Sequence, residues 1–271
     1  MSTTEKGLSS ALNARIEGCG TETIVFAHGY GTDQSIWDKI HPLVLALNYR
    51  LVTFDWAFAG TVKDQSLYDP HKYSSVEAFA DDLITLLNEM DLKAVTFVGH
   101  SMSGIIGCIA SVKRPQLFKT LILVGASPRF LNSDDYEGGF NSSDIEQLLS
   151  NIGTNYENFA SGFASLIADP TNEDTVDKYE KCLKRMQGEV ALSLAKTIFY
   201  SDWREILDKV ETPCTIIQTK KDAAVPHNVA LYMKNKIKGK VTLEIIDTLG
   251  HFPQLTAHLK FVQVLKAALA S

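Results

Sequence analysis

The sequence of 271 residues lacks any long, uninterrupted hydrophobic run. Its purest apolar stretches, residues 104–110 and 121–124, are far shorter than the roughly 20 residues that a membrane-spanning helix requires. The first ten residues, MSTTEKGLSS, contain one lysine and none of the apolar core of a secretion signal. The sequence therefore predicts neither a membrane anchor nor an exported protein.

Cysteine is also scarce in this chain. The four cysteines are widely spaced and form no Cys-x-x-Cys pair: Cys19, Cys108, Cys182 and Cys214. Three of them lie in apolar or helical surroundings, where a cysteine behaves as a small hydrophobic residue rather than as part of a disulfide framework. This pattern is typical of a reduced protein that acts inside the cell.

Positive charge is in deficit, because 26 lysines and arginines stand against 32 aspartates and glutamates, for a formal charge of −6 at pH 7. Such a balance argues against nucleic acid or an acidic lipid surface as a partner. The seven histidines do not group at metal-ligand spacing, and the sequence has no GxGxxG, G-x-x-x-x-G-K-[ST] or HExxH motif. We therefore expect no metal and no cofactor.

What the sequence does have is an alternation of short and long apolar segments, with apolar residues making up 45% of the chain. In the first 127 residues, strand-like runs alternate with helix-like segments at 24–27, 35–47, 51–54, 76–90, 94–98, 104–112 and 120–124. This rhythm predicts an α/β fold with a mostly parallel sheet and helices on both faces.

The alternation breaks after residue 127, and residues 141–200 show helical segments with little strand signal. It then returns, with strand-like runs and helix-like segments at 215–218, 225–236, 241–246 and 255–270. We expect one core formed by residues 1–127 and 201–271, interrupted by a helical lid at residues 128–200. Such a lid would cover the carboxyl edge of the sheet, where α/β proteins bind ligands.

The most specific motif is GHSMSG at residues 99–104, between a strand-like run and a helix-like segment. In that setting the pattern G-x-S-x-G is typical of the α/β-hydrolase nucleophile elbow, a strained turn that projects a serine hydroxyl above the sheet. Ser103 replaces the final glycine of the pattern, and Gly104 follows it. We expect Ser101 to be the nucleophile. The alternative is an ordinary Gly/Ser turn between two core elements.

Two later residues would complete a catalytic triad in the chain order nucleophile, acid, base. Asp222 lies four residues beyond the run 215–218, and His251 follows the run 241–246. Asp247 also ends a strand-like run, but it is too near His251 in sequence to be the preferred acid. We expect Asp222 to orient His251 as the general base. The alternatives are a solvated turn aspartate and an ordinary loop histidine.

The loop HGYG at residues 28–31 follows the first strand-like run, where this fold supplies an oxyanion donor. We expect the backbone N–H groups of Tyr30 and Met102 to form the oxyanion hole, with the Tyr30 side chain directed at the substrate. His28 and His100 are expected to pack or hydrogen-bond beside these turns. A serine at the elbow, rather than an aspartate, argues against epoxide hydrolase and dehalogenase chemistry.

Further segments carry a narrower resemblance. They are GTDQS at 31–35, RPQLF at 114–118, SPRFLN at 127–132 and DYEGGF at 135–140. With these segments the chain resembles the RsbQ-like α/β-hydrolases and, within them, is similar over nearly its whole length to the plant strigolactone and karrikin receptor family. Its DLK branch, the dwarf-14-like 2 proteins, is the most similar in FDWAFAG at 54–60, KDQ at 63–65 and GHFPQ at 250–254.

The resemblance implies a V-shaped, four-helix lid over a deep apolar pocket with the triad at its base. It implies a serine hydrolase-type receptor that slowly hydrolyses a butenolide ligand and recruits an F-box protein and a repressor through its lid, in the cytoplasm and nucleus. The substrate-binding residues that it implies are Tyr30, Phe130, Phe159, Phe163, Ile198, Phe199 and Ala224. Aromatic side chains bury large areas against an apolar ligand, although a lid aromatic can also serve only to pack one helix on another.

Two departures from the family affect the pocket. Phe159 stands where family members often carry tryptophan, and Lys184 stands where they often carry phenylalanine. A lysine there would alter either the pocket floor or the outer face of the lid. Two alternative functions stay open: a non-signalling esterase of small esters or lactones, and a ligand-binding signalling module with little turnover.

Overall fold

Seven strands form one sheet in the computed structural model, which describes residues 7–270. In chain order they are β1 (Arg15–Glu17), β2 (Thr23–Ala27), β3 (Arg50–Thr53), β4 (Val95–His100), β5 (Phe118–Val124), β6 (Cys214–Lys221) and β7 (Val241–Leu249). Their spatial order is β1-β3-β2-β4-β5-β6-β7, and only the β1–β3 pair is antiparallel. The predicted mostly parallel sheet is confirmed. No sequence pattern predicts β1, whose three residues are all exposed.

Both faces of the sheet are buried, as the alternation of β2 shows. Ile24 and Phe26 pack into one hydrophobic cluster, whereas Val25 and Ala27 pack into another on the opposite face. Successive residues of a strand point to opposite faces, so a strand covered on both sides must be apolar throughout. The short apolar runs of the sequence are therefore the central strands of the sheet.

Eleven α-helices accompany the sheet within residues 7–270. They are α1 (Leu8–Ala11), α2 (His41–Leu45), α3 (Val76–Glu89), α4 (Met102–Lys113), α5 (Ser142–Thr154), α6 (Tyr156–Ile167), α7 (Glu173–Arg185), α8 (Gly188–Phe199), α9 (His227–Lys236), α10 (Pro253–Thr256) and α11 (His258–Leu269). In this part of the chain, no helix combines the length and the apolar character needed to cross a membrane. The prediction that no secretion signal is present concerns mainly residues 1–6, which lie outside the described residues.

The segment 128–200, called the lid below, contributes the four helices α5 to α8. Helix α5 packs against α8, and α6 packs against α7. The lid touches the core at the carboxyl edge of the sheet: the backbone N–H of His251 donates to the carbonyl of Ile167 at the end of α6, at 3.0 Å. On the other side, the Thr197 hydroxyl of α8 donates to the carbonyl of Tyr73 at 2.8 Å. The lid therefore shares a hydrogen bond with the loop that carries the candidate base.

Two helices predicted as continuous are each divided. The segment 35–47 forms a 3₁₀ turn at Gln34–Trp37 followed by α2. The Asp33 carboxylate accepts the Ser35 N–H and so starts the turn, while Pro42 lies in the first turn of α2, a position that proline favours. The local caps therefore divide the hydrophobic stripe into two short elements.

The carboxyl-terminal third differs from expectation in two ways. The predicted helix 255–270 is divided into α10 and α11, because Ala257 has a non-helical φ of −137°. The last two strands are also longer than predicted, since β6 continues to Lys221 and β7 to Leu249. As a result Asp222 follows β6 directly, at the carboxyl edge of the sheet.

Candidate active site

Ser101 stands at the turn between β4 and α4. Its φ of +57° lies in the left-handed region that a serine rarely adopts. Two backbone hydrogen bonds hold this turn: the Ser101 N–H donates to the Val124 carbonyl at 2.8 Å, and the Gly104 N–H donates to the Ser101 carbonyl at 2.9 Å. Strained backbone that the surrounding structure holds in place is typical of functional sites.

The elbow leaves little space between α4 and the neighbouring strand end. A Cβ at Gly104 would lie 2.4 Å from the Cβ of Ala126, so only glycine fits there. Ser103 fits the preceding position because its buried hydroxyl has two partners: it accepts from Trp56 Nε1 at 2.9 Å and donates to the His28 carbonyl. Ser103, which replaces the final glycine of the pattern, therefore links the elbow to Trp56 and His28 through hydrogen bonds.

His251 and Asp222 form a buried pair beside the elbow. His251 Nδ1 lies 2.7 Å from Asp222 Oδ2, and the two side chains are 5% and 1% exposed. Asp222 Oδ1 accepts the backbone N–H groups of Ala224 at 2.8 Å and Val225 at 3.1 Å. The Gln218 amide lies 3.3 Å from Oδ2. A carboxylate fixed in this way favours a proton on His251 Nδ1 and leaves Nε2 to accept one from a serine.

The alternative acid, Asp247, lies away from this pair. Its side chain is 85% exposed, and its Oδ1 is 3.1 Å from Lys220 Nζ. An exposed carboxylate that pairs with a surface lysine cannot hold a buried imidazole. Asp222 is therefore the residue whose position suits an orienting acid.

The loop after β2 lies close enough to Ser101 to supply an oxyanion hole. A Cβ at Gly29 would be 2.9 Å from the Ser101 Cβ, so this loop and the elbow are in contact. Met102 is the first residue of α4, and N–H groups in the first turn of a helix have no acceptor within the helix. Within residues 7–270, no turn, loop or cap hydrogen bond uses the backbone N–H of Tyr30 or Met102. Their role as oxyanion donors stays a prediction that this geometry permits.

His100 lies against the candidate base. Its Nε2 donates to the His251 carbonyl at 2.9 Å, and the two ring centroids are 4.7 Å apart. Burial, reinforced by the neighbouring His251, lowers the pKa of His100 well below its ordinary value. His100 is therefore neutral at physiological pH, and it holds the His251 backbone rather than exchanging protons.

Acidification should destabilise the protein through His100. Because its pKa is lower in the folded than in the unfolded chain, the unfolded chain binds the proton first, and stability present above pH 6.5 is lost below it. Between pH 7.5 and 5.5 we expect this group alone to lower the free energy of unfolding by about 1 kcal/mol. Urea titrations at both pH values would measure it. In His100→Gln the fall in the free energy of unfolding between these pH values should be smaller by about 1 kcal/mol. An unchanged pH dependence of stability in this variant would contradict its attribution to His100.

A cavity of about 30 Å³, called the inner cavity below, opens at Ser101 and His251. Six of the seven predicted substrate-binding residues line it: Tyr30, Phe130, Phe163, Ile198, Phe199 and Ala224. The Tyr30 hydroxyl also donates to the Ala191 carbonyl of α8 at 3.2 Å, which ties the oxyanion loop to the lid. Ordinary ligand pockets measure about 300–1,000 Å³, so a ligand can enter the inner cavity only if the aromatic wall moves.

The seventh predicted residue, Phe159, does not line the inner cavity. It lines a separate, open cavity of about 750 Å³, called the vestibule below, whose walls are α5, α6, the Asn155 between them, Gly139 and Phe140. Its ring stacks on that of Phe163, with centroids 5.0 Å apart. The structure therefore divides the expected single pocket into two spaces.

Sequence reasoning missed four apolar residues in the wall of the inner cavity. They are Phe140, Ile167, Tyr179 and Phe252. Tyr179 falls on the apolar stripe of α7, which by itself indicates packing, and its ring lies 4.7 Å from that of Phe252. The one available signal was the position of Phe252 directly after His251. The others reach the site only through the packing of the lid on the core.

Gly125, at the end of β5, supports the His251 ring. Its φ is +54°, and an added Cβ would lie 3.0 Å from His251 Cε1 and 3.1 Å from Nδ1. We expect Gly125→Ala to displace the ring, to lower kcat/KM by about 100-fold and to cost roughly 1–2 kcal/mol of stability. Ester hydrolysis kinetics and thermal unfolding would measure both.

The matched control is Gly162→Ala in α6, where an added Cβ meets nothing within 4 Å. This change should leave kcat/KM within about twofold and raise stability by roughly 0.5–1 kcal/mol, because alanine suits a helix interior better than glycine. If Gly125→Ala behaved like Gly162→Ala, the positioning of His251 by Gly125 would be wrong.

Lys184 lies on the outer face of the lid. Its Nζ is 2.7 Å from Glu180 and 3.5 Å from Glu157. The departure from the family at this position therefore changes the lid surface rather than the inner cavity. Among residues 7–270, no group of three or more His, Cys, Asp and Glu side chains is placed to hold a metal ion.

Comparison with known proteins identifies the family of the chain. The profile of the Alpha/beta hydrolase family matches residues 24–264. The chain is 41% identical over 261 residues to the Strigolactone esterase RMS3 of Pisum sativum, covering 96% of this chain and 97% of that protein. It is 41% identical over 251 residues to the Karrikin insensitive 2 receptor IA of Petunia hybrida, covering 92% and 91%.

A solved structure extends the likeness to three dimensions. A hydrolase from Oleispira antarctica superimposes with a TM-score of 0.89 at 28% sequence identity, over 96% of both chains. The likeness therefore spans the sheet and the lid together.

Proposed function

This chain belongs to the alpha/beta hydrolase family, in the group of the strigolactone esterases and karrikin receptors, and on that premise we propose that it binds and slowly hydrolyses a butenolide ligand. The observation that carries the proposal is the buried 2.7 Å contact between His251 and Asp222, beside a serine elbow and beneath a lid. Relatives over nearly the full length are named esterases and receptors, which supports a serine hydrolase acting on ester or lactone bonds.

In the proposed reaction, Ser101 Oγ attacks the carbonyl carbon while His251 Nε2 accepts its proton. Asp222 stabilises the imidazolium that forms, and the N–H groups of Tyr30 and Met102 stabilise the oxyanion. His251 returns the proton to the leaving oxygen as the C–O bond breaks. A water molecule, deprotonated by His251, then releases the acyl group and regenerates the serine.

Slow turnover follows from the size of the inner cavity. Its 30 Å³ is far below the roughly 300–1,000 Å³ of ordinary ligand pockets, so we expect the aromatic wall and the lid to rearrange before the carbonyl reaches Ser101. Conformational steps of this kind limit kcat in many enzymes. The hydrogen bond from His251 to Ile167 couples that movement to the base.

The proposal includes a signalling role. The resemblance to the receptor family, most of all to its DLK branch, favours recruitment of an F-box protein and a repressor by the lid, in the cytoplasm and nucleus. Relatives named karrikin insensitive 2 receptors support this part. The lid is suited to report on the ligand because it carries both the outer surface and most of the inner cavity wall.

The test combines turnover with recruitment. We would incubate the purified protein with a synthetic butenolide ester and follow product release. We would then perform a pull-down with the F-box protein in the presence and in the absence of that compound. Slow turnover with compound-dependent recruitment is the expected result. Turnover without recruitment would favour the non-signalling esterase, and recruitment without turnover would favour a ligand-binding module. If both turnover and recruitment were absent, the butenolide assignment would be refuted.

A further inference from the structure

Helix α7 of the lid lies on the oxyanion loop, the segment of residues 28–33 that follows β2. The Tyr179 hydroxyl donates to the Tyr30 carbonyl at 3.4 Å. The Leu183 side chain covers Gly31, where an added Cβ would lie 2.2 Å from Leu183 Cδ2. The lid therefore contacts the loop that carries the predicted oxyanion donor, the backbone N–H of Tyr30.

An ion pair joins the end of α7 to the end of the same loop. Arg185, the last residue of the helix, donates from Nη2 to Asp33 Oδ2. The Asp33 side chain is only 4% exposed, and its Oδ1 accepts the Ser35 N–H at 3.0 Å and the Ser35 hydroxyl. Burial opposes ionisation, but the bonds from Ser35 and the charge of Arg185 outweigh it and lower the pKa of Asp33 below its ordinary value. In the part of the chain that the structure describes, no other lysine or arginine pairs with this buried carboxylate.

The direction of the Tyr30 N–H is fixed through the carbonyl of the same peptide unit, that of Gly29. This carbonyl accepts the Thr32 hydroxyl at 2.8 Å. His28 Nδ1 donates to it at 3.1 Å, since His28 Nε2 accepts the Trp56 N–H at 3.0 Å and so carries no proton. The C=O and N–H of a trans peptide unit lie in one plane and point in opposite directions, so whatever holds the carbonyl also aims the N–H.

Thr32 and Asp33 are neighbours in the chain, so the ion pair restrains the residue that holds this peptide unit. The pair also crosses from the lid to the core, because Arg185 belongs to α7 and Asp33 to the oxyanion loop. Movement of α7 away from the core would break the ion pair and the Tyr179 contact together. The position of the lid and the geometry of the loop are therefore linked.

We propose that Arg185 is a positioning residue for the oxyanion hole, which through Asp33 and Thr32 keeps the Tyr30 N–H directed at the oxyanion. This inference rests on the proposed hydrolase function and adds a regulation of its active site. The hole is complete only while α7 is seated on the core, so lid movement controls transition-state stabilisation as well as access. The effect belongs to kcat, because the oxyanion exists in the transition states and not in the bound ester.

The test replaces Arg185 with glutamine and uses Lys184→Gln as the control. Lys184 lies on the same helix but pairs with Glu180 and Glu157 on the outer face of the lid. Loss of an oxyanion donor costs about 100- to 1,000-fold in kcat, so displacing one in Arg185→Gln should lower kcat for p-nitrophenyl acetate about tenfold, with KM within about twofold. Lys184→Gln should keep both constants within about twofold.

A residue that only held the lid closed would give the opposite result. Its loss would admit the ester more easily and leave kcat unchanged or raised. That result in Arg185→Gln, or an equal fall in kcat in Lys184→Gln, would overturn the inference. Arg185→Lys restores the charge without the planar guanidinium, and it should keep kcat within about threefold of that of the unmodified protein.

Variants of Thr32 test the route from the ion pair to the peptide unit. Thr32→Val removes the hydroxyl and should lower kcat about tenfold, whereas Thr32→Ser keeps the hydroxyl and should stay within about threefold. Because both changes act on one donor, Thr32→Val combined with Arg185→Gln should lose at most about twofold more than the stronger single variant. Losses that multiply to about 100-fold would refute the route. Thermal unfolding would verify that each variant is folded at the assay temperature.

Labelling with a fluorophosphonate separates this inference from the hydrolase function. The reagent phosphonylates an activated serine and places a partly negative oxygen in the oxyanion hole, with no later deacylation step. The unmodified protein should be labelled about tenfold faster than Arg185→Gln. Equal labelling rates would reject the inference and leave the hydrolase function standing. An unmodified protein that neither hydrolyses p-nitrophenyl acetate nor becomes labelled would reject the hydrolase function, and the inference with it.

Discussion

Replacing Ser101 with alanine is expected to lower kcat for ester hydrolysis by at least about 1,000-fold. The hydroxyl stands on a turn with φ +57° whose geometry depends on backbone hydrogen bonds rather than on the serine side chain. The alanine variant should therefore keep its fold, and its thermal unfolding should stay close to that of the unmodified protein. Steady-state hydrolysis of p-nitrophenyl acetate, with circular dichroism to verify folding, would measure the effect.

Ser103 provides the matched control. It lies two residues further along and is fully buried, and its hydroxyl bonds to Trp56 and His28 rather than to substrate. Ser103→Gly restores the family pattern and should keep kcat within about fivefold, while losing roughly 1 kcal/mol of stability with its hydrogen bonds. Equal losses of activity in the two variants would argue against a specific role for Ser101.

Replacing Asp222 with asparagine should lower kcat by up to about 10⁴-fold, through the wrong tautomer of His251. Asp222 Oδ1 accepts two backbone N–H groups, from Ala224 and Val225, so an asparagine must keep its carbonyl oxygen there. Its amide nitrogen then faces His251 Nδ1 and donates to it. The imidazole proton moves to Nε2, which can no longer accept the proton of Ser101.

The loss of kcat in Asp222→Asn should come with little change in structure, because the amide has the size of the carboxylate. Kinetics on a small ester and thermal unfolding would separate the two effects. Asp247→Asn is the control: its side chain is exposed and paired with Lys220, and its removal should change kcat by less than about twofold. A large effect of Asp247→Asn with a small effect of Asp222→Asn would overturn the assignment of the acid.

The parts of the site that sequence could predict are those set by local patterns. Ser101 is recognisable because a strand-like run, a small-residue turn and a helix-like segment follow one another within a few residues. Asp222 and His251 are recognisable because each follows the carboxyl end of a strand, and the carboxyl ends of parallel strands meet at one edge. The mostly parallel sheet follows from the same alternation.

The parts that sequence could not predict depend on distant contacts. β1 has no hydrophobic pattern and is fixed only by pairing with β3. Phe140 and Ile167 face the inner cavity because of how the lid packs on the core, and nothing in their local sequence indicates this. Phe159 lies at helical spacing from Phe163, which predicts that both lie on one face of the helix. The spacing does not predict that Phe163 lines the inner cavity whereas Phe159 lines only the vestibule. Cavity size is likewise a property of packing and not of composition.

The central claim is that His251 and Asp222 activate Ser101 as the nucleophile, and covalent labelling tests it most directly. The purified protein would be treated with a fluorophosphonate, which reacts with activated serines, and its intact mass and peptide map would be recorded. The account predicts one adduct, on the peptide containing Ser101, absent in Ser101→Ala and retained in Ser103→Gly. An unlabelled native protein, or a label that persists in Ser101→Ala, would contradict it.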